Sequence, residues 1–372
     1  MKKELEETSE EKTVSSERDE RLRKLEEIKK LGLEAYPAKS SYDFAIADFL
    51  SKFESLEVDK KKYNLVGRLR AKRVHGNLAF VNLEDESASI QLVFSKKDLG
   101  VDIYKSFVKL IDIGDFIQVS GTAFLTHKEE KSLLVLDYKI LTKALRPIPD
   151  SWYGLKDNED RFRHRYLDLL INPEIRDIFY KKAKFWEVTR SFLKKHGFFE
   201  VETPTLETTT GGAEANPFKT HHRDFDIPVY LRISIGELWQ KRLMAAGYEK
   251  VFEIGRAYRN EGSSPDHLQE FTNMEFYWAY SDYEKGMDFV KEMYQEIAKK
   301  VFGKTKFVTR GFEYDLAGDW KKIDYCETVL EKTGINLLTA TEEEMKKKLD
   351  ELGVKYEGDN KERLTDTLWK YC

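Results

Sequence analysis

Residues 252–277, FEIGRAYRNEGSSPDHLQEFTNMEFY, constrain this chain more than any other stretch. The flanks are rich in Phe and Tyr, with Val251 and Ile254, and the turn-forming run Gly262-Ser263-Ser264-Pro265-Asp266 stands between them. That pattern predicts two strands joined by a loop. Alternate residues of a strand share a face. Arg259 and Glu261 therefore project together, and so do Phe271, Asn273, Glu275 and Tyr277. One sheet surface then presents a guanidinium, an aromatic ring, carboxylates and a phenol. Such a set is costly in a packed core. It suits a nucleotide and a small cation.

The wording of the segment adds to its pattern. Tyr258-Arg259-Asn260-Glu261 is followed, across the loop, by His267, Phe271 and Glu275 at four-residue spacing. This resembles motif 2 of the class II aminoacyl-tRNA synthetases, which reads Arg-x-Glu, a loop, then His-x-x-x-Phe-x-x-x-Glu. The run Arg259 to Gly262 resembles the lysyl-tRNA synthetases in particular. The resemblance implies an α+β chain: an N-terminal five-stranded OB-type β-barrel, then a class II catalytic domain built on an antiparallel sheet. It also implies ATP as a substrate with Mg²⁺, L-lysine and tRNA(Lys) as partners, and a homodimer.

Composition limits the alternatives. The chain has 372 residues, enough for two or more domains. Charged residues make up 35%, yet both signs balance to a net charge of −4, so attraction to nucleic acid must be local. The two cysteines, Cys326 and Cys372, form neither a disulfide framework nor a Cys-x-x-Cys pair, which fits a reducing, cytoplasmic compartment. The Lys/Glu/Ser-rich N-terminus has no apolar core of a signal peptide, and no apolar run is long enough to predict a membrane span.

Five segments organise the chain. Residues 1–60 read as an N-terminal extension and linker: a polar stretch to residue 19, a helix with Leu22, Leu25, Ile28 and Leu31 on one stripe stopped by Gly32, then a short amphipathic helix. The first helix is read either as a surface helix packed on its neighbour or as one that touches tRNA. Residues 61–145 carry five strand signals, with a helical stretch at 101–111 after the third, matching an OB-type barrel. Residues 146–172 form a linker. Residues 173–319 open with a long helix that places Ile178, Phe179, Phe185, Trp186, Val188, Thr189 and Phe192 on one face, then His196-Gly197 and a strand ending at Pro204. This resembles motif 1, the dimer element of class II enzymes. Residues 320–372 read as a helical insertion, with Thr341-Glu342-Glu343-Glu344 as a capping box.

OB barrels often bind single strands by aromatic stacking beside a basic groove. Lys60, Lys61, Lys62, Arg68, Arg70, Lys72 and Arg73 cluster at the barrel's start. Composition alone reads Phe80 as barrel core. The resemblance instead makes Phe80 the ring that stacks on the central anticodon base, with Gln91 and Glu130 reading its edge and Arg68 on the first strand. Glu129 adjoins Glu130, and a one-residue slip would exchange their faces.

For the catalytic half, the resemblance assigns roles residue by residue. Arg259 clamps the α-phosphate of ATP and the amino-acid carboxylate, because a planar fork suits two oxyanions. Phe271 stacks on adenine, Glu261 meets the adenine amino edge, and His267 reaches the outer phosphates. Gly211-Gly212-Ala213 through Thr220-His221-His222 resembles the lysyl enzymes' pocket segment, with Gly212 letting backbone approach the substrate amino group. Glu237 holds the α-amino group. Relatives commonly carry Pro where this chain has Gly236, which is expected to loosen the turn. Glu275 and Tyr277 face the substrate side chain, where a buried carboxylate needs a cation. Adjacent His221 and His222 point oppositely and do not chelate one ion together.

A third class II motif, Gly-rich with an Arg for the γ-phosphate, is not found after Glu313. The expected metal ligands lie beyond Cys372, so none is assigned. The expectation is a C-terminally incomplete lysine–tRNA ligase lacking full activity. Two other readings remain: an aspartyl or asparaginyl sister enzyme, and a non-catalytic tRNA-binding fragment.

Overall fold

A computed structural model of the chain describes residues 17–149, 155, 157–264, 267–356 and 358–372. Pro265 and Asp266 of the predicted turn, the polar stretch to residue 16, and residues 150–154 of the linker lie outside the described residues. The chain divides into two compact units, Met1–Ile175 and Arg176–Cys372.

In the first unit a helix over 17–30 (α1) precedes two short helices, α2 (Ile46–Ser51) and α3 (Phe53–Asp59). Leu25 and Ile28 of α1 are buried, but Leu31 is exposed, because the helix ends before it and Gly32 turns the chain at φ 70°. Five strands follow: β1 (Tyr63–His75), β2 (Leu78–Glu84), β3 (Ser89–Ser95), β4 (Phe116–Leu125) and β5 (Lys131–Thr142). They close into a barrel in the order β1-β2-β3-β5-β4. Period-two alternation drives this: Leu65, Leu69, Val81, Leu83, Ile117 and Val119 are all fully or nearly buried. Helices α4 (Lys96–Leu99) and α5 (Val101–Leu110) sit between β3 and β4, and the Phe107 ring of α5 stacks on Phe94 of β3 at 3.7 Å. Helices α6 (Asn158–Arg163) and α7 (Arg165–Ile171) complete the unit.

A buried ion network ties α1 to the barrel. The fully buried Lys143 Nζ donates to Asp112 at 2.6 Å and to Asp115 at 2.7 Å. Lys24 of α1 takes the other Asp112 oxygen at 2.6 Å. Asp115 also accepts the backbone N–H groups of Asp112 and Ala144, both at 2.8 Å. Burial alone would raise the Asp112 pKa, but hydrogen bonds and charge from Lys143 and Lys24 outweigh it and hold the carboxyl below its usual value.

In the second unit α8 (Arg176–Lys195) leads to the two-residue strand β6 (Phe199–Glu200), β7 (Leu206–Glu207), β8 (Lys219–His222), β9 (Ile227–Leu231) and α9 (Glu237–Ala245). The long antiparallel pair β10 (Lys250–Tyr258) and β11 (Glu270–Trp278) comes next, then α10 (Tyr283–Phe302). One sheet has the order β11-β10-β6 and another β7-β9-β8. Val188, Phe192, Phe198, Phe252, Phe289 and Met293 share one core between α8, α10 and the first sheet. The predicted face of α8 is covered along only part of its length. Val188, Thr189 and Phe192 are buried, whereas Ile178 and Phe179 are exposed, because no apolar partner covers the first turns within this unit. A hairpin of β12 (Lys306–Thr309) and β13 (Phe312–Asp315) leads to α11 (Tyr325–Thr333), α12 (Glu342–Glu351) and α13 (Lys361–Tyr371). These three helices have their own core of Val329, Met345, Leu349, Leu364 and Leu368, and Thr341 and Glu344 form the capping box.

Lys143→Ala leaves Asp115 buried without its cation, and is expected to cost about 3–5 kcal/mol in urea unfolding of the barrel. Acid should act in the same place. The folded pKa of Asp112 lies below its unfolded value, so its contribution is complete above the ordinary carboxylate range and lost as pH falls through the folded value. The wild-type chain should therefore lose stability on acidification by more than Lys143→Ala does. Equal acid slopes for the two would refute the linkage.

Candidate active site and anticodon face

The register of β10 on β11 sets the catalytic face. Val251 pairs with Tyr277, Glu253 with Glu275, Gly255 with Asn273 and Ala257 with Phe271. Arg259 N–H then donates to Gln269 C=O at 2.9 Å, carrying the ladder past the last named pair. Directly opposed residues share a face, so Arg259 lies on the same side as Phe271, Glu275 and Tyr277. Its guanidinium carbon sits 5.3 Å from the Phe271 ring centroid, and its Nε donates to Ile233 C=O at 3.3 Å. Arg259, Glu261, His267 and Phe271 line one cleft of about 310 Å³. Both Arg259 and Phe271 are half-buried rather than sealed in the core.

The loop between the strands is anchored from two sides. The Glu261 carboxylate accepts Asn216 N–H at 3.3 Å, and Asn260 N–H donates to Asn216 C=O at 2.8 Å. His267 Nδ1 lies 2.6 Å from Ser264 Oγ. The sequence placed the Gly212 segment near the substrate but gave no reason for it to touch the end of β10. Asn216 supplies that contact.

A second group gathers beside the cleft. Gly212 has φ 88°, and a Cβ there would stand 2.5 Å from Glu237 Oε2 and 2.7 Å from Ser234 Oγ. Only glycine lets this backbone lie against Glu237. Ser234 Oγ–H, Ile235 N–H and Asn273 Nδ2–H donate to Glu275 Oε1 at 2.7, 3.0 and 3.4 Å. Burial pushes the Tyr277 phenol above its usual pKa; Glu237 and Glu275 push the same way, and Lys241 opposes. Tyr277 is therefore a protonated donor at neutral pH, next to two carboxylates. Lys241 forms an ion pair with Glu237 on the α9 surface.

Charged residues that the sequence reading passed over support this group from below. Arg232 and Glu253 are both buried and pair at 2.6 Å. Arg232 also donates to Arg256 C=O at 2.8 Å and to Thr203 Oγ1 at 3.1 Å, and Thr203 Oγ–H reaches Glu253 at 2.6 Å. Gly236 sits on this network with φ 61°, and a Cβ there would lie 2.2 Å from Thr203 Oγ1. Proline cannot adopt that φ. The turn is thus packed tight at Gly236, not loosened. Gln240, fully buried, donates to Ile235 C=O at 2.9 Å and fixes the same turn.

On the barrel, cross-strand pairing puts Arg73 opposite Phe80, Asn82 opposite Gln91, and Gln91 opposite Ser132. Phe80 is half-buried between the buried Ala79 and Val81, so it stands on the outer face and the core reading is set aside. Arg68, paired with Glu84, shares that face, with its guanidinium 4.4 Å from the Phe116 ring. Gln91 Nε2–H donates to Ser132 Oγ, which donates to Glu130 C=O at 3.1 Å. Glu130 is exposed just before β5, and Glu129 takes the left-handed turn position at φ 58°. His221 lies 3.1 Å from Asp226 on an exposed hairpin. Among the described residues no three His, Cys, Asp or Glu side chains gather as metal ligands.

Comparison with known proteins agrees with this geometry. Residues 157–368 match the family described as tRNA synthetases class II (D, K and N), and residues 63–141 match the OB-fold nucleic acid binding domain. A lysine–tRNA ligase of Thermotoga maritima is 39% identical over 355 residues, covering 94% of this chain and 70% of that protein. One from Carboxydothermus hydrogenoformans is 43% identical over 316 residues, covering 85% and 64%. One from Roseiflexus castenholzii is 41% identical over 324 residues, covering 87% and 66%. The chain thus spans about two thirds of the length of these relatives. An outward-facing barrel surface, an arginine over a phenyl ring on one antiparallel pair, and these two matches together make the chain a member of the class II tRNA synthetases, in the lysine–tRNA ligase family.

Proposed function

We propose that this chain carries the lysine-activating and anticodon-reading parts of a lysine–tRNA ligase. The observation that carries the reading is the Arg259 guanidinium held over Phe271 in one cleft with Glu261 and His267. Activation joins a lysine carboxylate oxygen to the α-phosphorus of ATP and releases pyrophosphate. Positioning and charge neutralisation dominate such a step. Arg259 neutralises the α-phosphate and the attacking carboxylate as they approach. Phe271 stacks on adenine, Glu261 accepts from its amino group, and His267 meets the outer phosphates. Mg²⁺, where bound, would add charge neutralisation on those phosphates.

Lysine specificity follows from the second group. Glu237 takes the α-amino group, a role its pairing with Lys241 already illustrates with an internal ammonium. Glu275 and Tyr277 take the side-chain ammonium. Aspartate brought here would set a carboxylate against Glu237 and Glu275, which disfavours the sister-enzyme reading. On the barrel, Phe80 stacks on an anticodon base while Gln91, Glu130 and Arg68 read or hold its neighbours. A homodimer through α8 and β6 is included, because Ile178, Phe179 and Phe199 there are exposed. Cytoplasmic location is part of the same reading; among the described residues no helix is long and apolar enough to cross a membrane.

Lysine-dependent ATP–pyrophosphate exchange tests the catalytic half in the protein that bears these residues. Arg259→Ala is expected to lower exchange by about 10²–10³-fold, roughly 3–4 kcal/mol of transition-state stabilisation. Aspartate-dependent exchange exceeding lysine-dependent exchange would overturn the assignment.

Phe80→Ala should weaken binding of a tRNA(Lys) anticodon stem-loop by about 1–3 kcal/mol, the usual worth of one stacked base. Binding of a stem-loop with an unrelated anticodon should hardly change. Equal losses for both would remove Phe80 from anticodon reading.

A further inference from the structure

A cavity that the ligase chemistry leaves unused lies within the first unit. It measures about 610 Å³ and is lined by Arg21 of α1, Arg70 and Lys72 of β1, Asp112 and Ile113 before β4, and Ile148. How Lys72 comes to be there is a matter of register. A bulge in β1 between Leu69 and Ala71 shifts the pairing with β2 by one residue. Before the bulge Leu69 faces the buried Leu83; after it Lys72 faces the buried Val81. The lysine is thereby turned from the outer, basic face of the strand toward the barrel interior. Its Nζ lies 5.4 Å from the Phe107 ring centroid and donates to the C=O groups of Val108 and Ile111 at 2.8 and 2.5 Å.

The surrounding charges are already arranged in pairs. Arg21 bonds Glu17, Arg70 lies against Glu84, Lys24 holds Asp112, and Lys143 holds Asp112 and Asp115. Among the described residues Lys72 alone of these cations has no carboxylate in ion-pair contact. Arg21 is only 5% exposed, and its buried Nε has no hydrogen-bond partner. A desolvated lysine amine beside other cations is the environment that makes a lysine nucleophilic. Guanidiniums lining the same space favour a donor that carries its own negative charge.

We propose that this cavity is an acylation site, in which a small acyl phosphate seats against Arg21 and Arg70 and transfers its acyl group to Lys72 Nζ. The neutral amine attacks the acyl carbonyl carbon and a C–N bond forms. The C–O bond to phosphorus-bound oxygen breaks, phosphate leaves with the electron pair, and the amine proton passes to phosphate or water. No oxidant or further reactant is consumed. Burial, with Lys24 and Lys143 adding to it against Asp112 and Asp115, brings the Lys72 pKa down to about 8, so about half of the amine is neutral at pH 8. Acylation removes the charge and part of the hydrogen bonding that holds the end of α5.

Acetyl phosphate is the probe. The whole chain is treated at pH 8 and peptide mass spectrometry reads occupancy at every lysine. Lys61 is the reference, exposed and with its pKa raised by the hydrogen bond it donates to the Asp59 carboxylate. Lys72 is expected to acylate about tenfold faster than Lys61, since far more of it is neutral even after allowing for lower intrinsic nucleophilicity. Its rate should level off above about pH 8, while that of Lys61 keeps rising. Inorganic phosphate should slow Lys72 and leave Lys61 unchanged. With the uncharged ester N-acetoxysuccinimide the preference for Lys72 should shrink, and Arg70→Gln should reduce it for acetyl phosphate alone. Acylation of Lys72 no faster than Lys61 overturns the proposal. So does a preference that survives both phosphate competition and the change of reagent, because that describes a nucleophile without a donor site. The phosphate and reagent arms use the unaltered protein and stand even where Arg70→Gln fails to fold.

Discussion

The antiparallel ladder of β10 on β11 is the constraint from which the catalytic face follows. It runs without a bulge from Lys250↔Trp278 to Tyr258↔Glu270. Because strand periodicity is two, a slip of one residue would send Phe271, Glu275 and Tyr277 to the opposite side from Arg259. The register is held at one end by Val251 and Phe252, both fully buried, and at the other by Arg259 N–H on Gln269. Beneath it the Arg232–Glu253 pair spans from β9's exit to β10 and carries Thr203 and Gly236 with it. Such a pair adds little net stability over an apolar replacement, yet breaking it strands a buried charge. Its value here is positional. It fixes the turn that presents Ser234, Ile235 and Glu237 to Glu275 and Gly212.

Much of this face was legible because its chemistry is local in sequence. Arg259, Glu261, His267 and Phe271 lie within thirteen residues of one another, and strand parity alone orders them. The barrel was equally open to reading, since its inward residues alternate and its turns are short. The parts that stayed hidden depend on contacts between distant segments. Arg232 looks like any solvated strand charge until Glu253 meets it. Ser234 looks like loop filler until its hydroxyl lands on Glu275. Composition favoured Phe80 as core, and its half-burial between the buried Ala79 and Val81 puts it outside, as the resemblance implied. Ile178 and Phe179 share a helical face with the buried Val188 and Phe192 yet are exposed, because helical spacing reports amphipathicity, not what lies opposite.

The β1 bulge shows the same limit in another form. Lys72 belongs to a basic stretch, Arg68, Arg70, Lys72 and Arg73, whose charges look alike to a reader of composition. One inserted residue in the pairing separates them physically. Arg68 before the bulge and Arg73 after it both face outward, where a polyanion can reach them, and Lys72 is turned inward.

The two units answer the same demand, recognition of a polar ligand, in contrasting ways. The barrel presents its candidate polar readers outward, with Gln91 held by Ser132. Such a face can adapt to a flexible nucleotide strand. The catalytic face instead converges donors on fixed oxygens: three reach Glu275 Oε1, and Gly212 closes over Glu237. Carboxylates held this rigidly, next to a phenol kept protonated by burial and by those same charges, cannot turn away from a mismatched ligand. In the proposed ligase reading, discrimination against an acidic amino acid arises from what such a site is unable to relax, and the buried Arg232–Glu253 pair holds the turn beside it.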